Sequence, residues 1–172
     1  MSHGYTILPA EREHLAALPR IELVAARLLA PYAPRHVLDE TTDEETFRQA
    51  QRQGKLWIAA AGDGPIGFAL VEMLADGHSH LEEMDVLPCR ARRGVETALH
   101  AKVPECSRHS RHIETTLTTF RAPPWNMPFY LRARFEEIGP EEWSAEVKGV
   151  VAAEASRGLW NQGRCVMRYS HR

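Results

Sequence analysis

Apolar positions along this chain recur in two rhythms, and the switches between them predict the elements. Tyr5-Thr6-Ile7-Leu8 alternates and predicts a first strand. From Glu11 to Ala30, Leu15, Leu18, Val24 and Leu28 recur at helical spacing, and Pro19 predicts two helical pieces or a kink. Pro31-Tyr32-Ala33-Pro34 is a turn or extended stretch. Thr42-Asp43-Glu44-Glu45 opens a second helix, with Thr42 as N-cap and Glu45 in the capping-box position, and Gly54 ends it. Leu56 to Ala61 is a strand, Gly62-Asp63-Gly64-Pro65 a tight turn, and Ile66 to Leu74 the returning strand of a hairpin. Asp76-Gly77 turns the chain into a strand from His80 to Leu87. A helix follows from Val95 to about Val103, where Pro104 intrudes. Ile113 to Thr119 is β-branched and reads as a strand. Pro123-Pro124-Trp125-Asn126 is a loop leading to a short helix through Tyr130. Phe135 to Ile138 is a short strand, Glu141 to Arg157 a helix, and Cys165 to Tyr169 the last strand.

The order is β-α-α-β-β-β-α-β-α-β-α-β. Strands clustered in the middle favour antiparallel pairing, while the β-α-β around Val95 to Val103 forces one parallel pair through a right-handed crossover. The expected architecture is an α/β (α+β) mixed, mostly antiparallel sheet of about 6–7 strands with helices on both faces. No linker, repeat or low-complexity segment divides the chain, so residues 1–172 are read as one domain.

Composition narrows the function classes. With 172 residues, 44% hydrophobic and 26% charged, the chain has the make-up of an ordinary globular domain. A net charge of -2 gives no electrostatic case for nucleic acid. No apolar run approaches a membrane span, and Met1-Ser2-His3-Gly4 lacks a signal-peptide pattern, so a cytoplasmic protein is expected. Cys89, Cys106 and Cys165 are odd in number and widely spread, as reduced thiols are.

The densest chemistry lies in Met84-Asp85-Val86-Leu87-Pro88-Cys89-Arg90-Ala91-Arg92-Arg93-Gly94-Val95-Glu96-Thr97-Ala98-Leu99. A strand that feeds a basic Gly turn and a helix start brings backbone N–H groups and cations to one spot, which suits a phosphorylated ligand. The same arginines also fit a plain solvated turn.

In three segments the chain resembles the GNAT superfamily of N-acetyltransferases, over essentially its full length. Leu81-Glu82-Glu83-Met84-Asp85-Val86-Leu87-Pro88 is similar to the fourth strand of that fold. Arg93-Gly94-Val95 with Ala98-Leu99 is similar to its pyrophosphate loop and third helix. Thr116-Leu117-Thr118-Thr119-Phe120 through Pro124-Trp125-Asn126-Met127-Pro128-Phe129-Tyr130 and Phe135-Glu136-Glu137 is similar to its fifth strand, fourth helix and sixth strand. The resemblance implies a sheet splayed between strands four and five, with acetyl-CoA as donor and an amine as acceptor. The pantetheine arm would lie in the opening as a pseudo-strand.

The resemblance also implies roles for individual residues. The Val86 N–H, at the strand end with Leu87, would polarise the acetyl carbonyl. Glu82 or Glu83 would accept the proton of the attacking ammonium, directly or through water. Tyr130 would donate a proton to the departing thiolate, and Asn126 would hold the cofactor arm. Arg92, Arg93, Gly94, Val95, Glu96 and Thr97 would form the phosphate cradle. Adjacent strand residues face opposite sides, so only one glutamate reaches the cleft unless a bulge intervenes. Glu82 is favoured, because His80 and Met84 would share its side, and His80 is the reserve base. Tyr130 also reads as a core aromatic, and Asn126 as a helix cap. Trp125 is expected in the core or on the cleft, and Tyr32, Arg35 and His36 on its acceptor side. Trp160 to Arg164 is expected to approach the last strand as a hairpin.

Departures from the family's pattern begin in the donor loop. Ala91 stands where a polar residue is usual, and Glu96 where Gly or Ala lets the pyrophosphate lie on the backbone. Arg134 occupies a turn position where Gly is expected. Pro104 falls where the third helix usually continues, and fits there as the first residue of a second turn. Two functions from different classes follow. The first is direct acetyl transfer from acetyl-CoA to an amine-bearing small molecule or peptide, without a cysteine intermediate, since Cys89 lies in the donor loop. The second is a non-catalytic GNAT-fold protein with weak or no acyl-CoA binding. Homodimerisation is compatible with either. No metal is expected: Cys106-Ser107-Arg108-His109-Ser110-Arg111-His112 has suggestive spacing but lacks a fourth ligand nearby.

Overall fold

A computed structural model describes residues 4–62, 64–107 and 114–171. The metal-spaced stretch ending at His112 lies outside these apart from the backbone of Cys106 and Ser107, as do Asp63 and Ile113. Seven strands form one sheet in the order β1-β2-β3-β4-β5-β7-β6: β1 Thr6–Pro9, β2 Leu56–Ala61, β3 Gly64–Met73, β4 Ser79–Val86, β5 Glu114–Phe120, β6 Glu136–Ile138 and β7 Arg164–Ser170. Every pair is antiparallel except β4 with β5. The mixed, mostly antiparallel sheet expected from the sequence is present.

Helices cover both faces, and the alternation within strands shows which residues meet them. On β3, Ala69 and Val71 belong to one core with Val95, Leu99 and Val103. Their neighbours Phe68 and Leu70 belong to another with Leu18, Ile21 and Phe47. The first core packs under α4 (Val95–His100) and α5 (Val103–Ser107). The second packs under α1 (Leu18–Ala26) and α3 (Glu44–Arg52). Between α1 and α3 lies α2 (Arg35–Leu38), four residues long and not foreseen. A third core places Val147 of α7 (Ala145–Ser156) against Leu74, Ile138 and Val166. α6 (Met127–Arg132) sends Met127 and Tyr130 into the first core. β3 and β4 approach so closely that a Cβ on Gly67 would meet the Asp85 carbonyl oxygen at 2.8 Å.

The prolines act as expected. Pro19 sits at the start of α1, after a 3-10 segment Arg12–Ala17, and so divides the long helical stretch in two. Pro104 lies in the first turn of α5, which begins anew after α4 has ended. One cap differs. Asp43, not Thr42, caps α3, its Oδ1 accepting from Thr46 N at 2.9 Å. Thr42 is taken by a tertiary contact: its N–H and hydroxyl donate to the carboxylate of Glu22 on α1 at 2.9–3.0 Å. Among the described residues, no helix is long and apolar enough to cross a membrane.

Candidate active site

Among the described residues the only parallel ladder is also the shortest central one. β4 and β5 pair at Ser79 with Thr115, His80 with Thr116 and Leu81 with Leu117, and then part. Beyond that point the sheet opens as a V, and a cleft of about 1370 Å³ runs through it. Leu87 N–H donates to Ile66 O on β3 at 2.9 Å. Successive strand residues turn their N–H groups to opposite sides, so Val86 N–H faces away from β3 and into the V. Leu87, expected to share in cofactor binding, therefore has its N–H committed elsewhere.

A bulge decides which carboxylates share a face. Leu70 pairs with Glu83 and Val71 with Leu81, leaving Glu82 as the extra residue on β4. Leu81, Met84 and Val86 all pack into the same core. The two glutamates between Leu81 and Met84 consequently lie together on the opposite face with Asp85, where α1 crosses β4. Both line the cleft. The expectation that only one would reach it holds for a regular strand, and this strand is not regular. Met84 does not share Glu82's side.

Electrostatics separates the carboxylates. Glu82 is open to water but crowded by the cleft walls; that desolvation, with Glu72 and Glu154 adding repulsion, pushes its pKa up to about 7 against Arg157 and Arg164. Glu83 is raised well above the usual range by desolvation and by Asp85, Glu22 and Glu82. Asp85 is pushed up to about 8 by desolvation and Glu22, and hydrogen-bonds Glu83. The two share protons as a pair. Glu22 is itself raised by burial, partly offset by the Thr42 bonds. Glu22 has a signal in the sequence, a carboxylate among the apolar stripe positions Leu18, Ile21 and Ala25, but its partners are visible only in the fold.

His80 is not at the cleft. It is 1% exposed, its Nδ1 is 2.8 Å from Thr116 Oγ1, and desolvation followed by Arg164 lowers its pKa to about 4. Tyr130 stands both in the core and at the cleft. Its ring packs in the core, edge-on to Phe129 and Phe135, while the residue also lines the cleft. Desolvation and the nearby Glu83 and Asp85 raise its pKa, so the phenol keeps its proton. Asn126 precedes α6 without a side-chain cap bond and lines the cleft.

In the donor loop, Ala91, Arg92, Gly94, Glu96 and Thr97 border the cleft. Val95 is fully buried and anchors α4, and Arg93 is exposed outside the lining. Gly94 is left-handed at φ 79°, and a Cβ there would meet only Tyr5 Oη at 3.5 Å, so the space over the turn is open. Arg92 at φ 61° and Arg134 at φ 68° hold left-handed backbone without being glycine, Arg134 as the sequence foresaw. Neither Arg92 nor Arg93 ion-pairs with Glu96 among the described residues.

At the other end, the lining comes from Ala33, Val37 and Leu38, not from Tyr32, Arg35 and His36 as expected. His36 Nε2 instead meets Arg157 O at 3.0 Å, and Tyr32 braces Trp125. A network missed in the sequence lines this end. Thr118 Oγ1 donates to Glu154 at 2.6 Å, and Arg164 reaches Glu154 at 3.0 Å while lying over the Phe120 ring. Trp160 to Arg164 forms a short 3-10 turn and the start of β7. Among the described residues no group of three or more His, Cys, Asp or Glu is placed to hold a metal ion.

No protein-family model matches the chain. Solved structures do. A PaiA N-acetyltransferase from Thermoplasma acidophilum in complex with coenzyme A is similar at TM-score 0.73 and 14% identity, over 99% of each chain. A GNAT-family acetyltransferase from Staphylococcus aureus is similar at TM-score 0.69 and 12% identity, over 98% of this chain and 99% of that one. Arabidopsis thaliana Naa50, in complex with the bisubstrate analogue CoA-Ac-MVNAL, is similar at TM-score 0.65 and 14% identity, over 97% and 99%. The chain has the GNAT fold.

Proposed function

We propose that the protein is an acetyl-CoA-dependent N-acetyltransferase acting by direct transfer to an amine. One observation carries this reading: the β4–β5 ladder ends after three residue pairs, and Val86 N–H points into the opening on the same strand as Glu82. The crystallisation of similar folds with coenzyme A or a CoA bisubstrate analogue supports it.

The pantetheine arm would hydrogen-bond to the free edge of β4, as an added strand does. Val86 N–H would then donate to the acetyl carbonyl oxygen and stabilise the oxyanion as the amine adds. Glu82 is the base, because burial brings its pKa near neutrality while it stays open to the cleft. It takes the ammonium proton, directly or through water, and the free amine attacks. Collapse breaks the carbon–sulfur bond; Tyr130 passes its phenol proton to the thiolate and regains one from the nitrogen, which sheds its second proton on becoming an amide, so the phenol ends as it began. Asn126 would bond the arm, with Arg92 and the open backbone at Gly94 receiving the phosphates. Cys89 takes no part, so Cys89→Ala should leave turnover unchanged.

A second reading, a GNAT-fold protein without catalysis, is supported by Glu96, whose carboxylate borders the place the phosphates would occupy. Thermal denaturation with acetyl-CoA separates the two. Saturation at about 100 Kd adds about 2.7 kcal/mol of stability. No shift at any attainable acetyl-CoA concentration would favour the second reading.

A further inference from the structure

We propose that the acceptor is a primary amine with an apolar body and no carboxylate, its ammonium at Glu82 and its body against Trp125 and Leu28. The proposal rests on the transferase reading and names the substrate class of that site.

Three large hydrophobic side chains stand exposed among the described residues: Leu28 at 44%, Trp125 at 43% and Leu131 at 50%. A lone exposed leucine is ordinary. Here, however, Leu28 and Trp125 border the same cleft, and Leu29 and Val37 continue that apolar wall. Trp125 is also held in place. Tyr32, from the segment after α1, meets it edge-on at 5.9 Å and 77°. A braced, solvent-facing indole at a cleft mouth offers apolar area at little further cost in conformational freedom, and a π face to a nearby cation.

Charge narrows the class further. Arg157 and Arg164 line the cleft near Glu82, but Arg157 is paired with Glu40 and Arg164 with Glu154. An acceptor carboxylate would have to share an arginine with Glu40 or Glu154 and would sit among the carboxylates of β4. A polycation laid on the Trp125–Leu28 wall fares little better, because Glu72 and Glu82, the carboxylates that repel one another, lie on the β3–β4 floor and not on that wall. A second ammonium would lie along the apolar wall without a counter-charge, which is costly.

The test compares 2-phenylethylamine, phenylalanine, spermidine and ethylamine as acceptors, with saturating acetyl-CoA and detection of the released thiol. The expected kcat/KM for 2-phenylethylamine exceeds each of the others by about tenfold or more. Trp125→Ala should raise its KM about tenfold with kcat nearly unchanged, leave ethylamine unaffected, and be rescued by Trp125→Phe. Better turnover of phenylalanine or spermidine overturns the proposal and leaves the transferase reading standing. So does acetyl-CoA binding without turnover of 2-phenylethylamine, or a Trp125→Ala enzyme that keeps its KM. Absence of both acetyl-CoA binding and turnover removes the transferase reading, and the proposal with it.

Discussion

The two ends of the cleft are built on different principles. The β4 floor gathers Glu82, Glu83 and Asp85 on one face through a bulge, beside Glu22 of α1, and the protein has already displaced their pKa values. The donor loop from Pro88 to Thr97 is half exposed, and it holds its shape with left-handed backbone at Arg92 and Gly94. On the floor, like charges crowded together against the cleft walls shift one another's protonation before any ligand arrives. Exposed arginines on the loop contribute little to stability by themselves and act when an anion comes. Changes on the floor should therefore appear in rates and in pH dependence, and changes on the loop in donor affinity.

The largest expected effect tests the floor. Glu82→Gln keeps the shape and removes the base, so kcat should fall by roughly 10²-fold or more while acetyl-CoA affinity stays unchanged. The base works when ionised, so parent kcat/KM should rise with pH and level off above about 7. That limb should vanish in Glu82→Gln. Undiminished turnover would mean that the floor is a structural carboxylate cluster, and the contrast between the two ends would lose its chemistry.

A smaller effect tests the same end through stability. A carboxyl whose pKa is raised on folding binds its proton more tightly in the native state. Its stabilisation is full below the unfolded value and is lost as pH rises through the folded one. For Asp85 that window runs from 3.8 to about 8. Asp85→Asn removes this loss, so the melting temperature of the variant minus that of the parent should grow across the window. His80 adds an opposite trend, since its lowered pKa withdraws stability as pH falls from 6.5 towards about 4. That trend is common to both proteins and cancels in the difference. A difference that stays flat with pH would show that Glu83 and Asp85 do not share a proton.

Most of this architecture is written in local patterns. The hydrophobic alternation marks each strand to within a residue or two, and Pro19 and Pro104 act where their missing N–H groups allow. The site is less legible. Glu82 and Glu83 share a face only because β3 is one residue short against β4, a count of register between strands that no single segment carries. Thr42 and Asp43 are both good caps, and the choice falls to Glu22, twenty positions upstream. Leu87 and Val86 differ by which way an N–H turns, settled by Ile66 on another strand. In each case the missing information is tertiary, and it concerns polar groups whose partners lie far off in the sequence.

The smallest effect tests the loop. Glu96 is the second residue of α4 and half-buried on the cleft. A carboxylate about 5 Å from a phosphate, at an effective dielectric near 20, is repelled by about 3 kcal/mol before screening. Arg92 and salt reduce this, so Glu96→Gly should tighten acetyl-CoA binding by about tenfold, near 1.4 kcal/mol. The same change costs about 1 kcal/mol of helix propensity and removes a favourable acid from the first turn. The two effects are read separately: calorimetric affinity should rise while the ligand-free melting temperature falls. If affinity is unchanged or drops, Glu96 does not oppose the phosphates, and the observation supporting a non-catalytic protein disappears. If both move as expected, the loop has traded donor affinity for helix stability, whereas the floor holds its charges for chemistry.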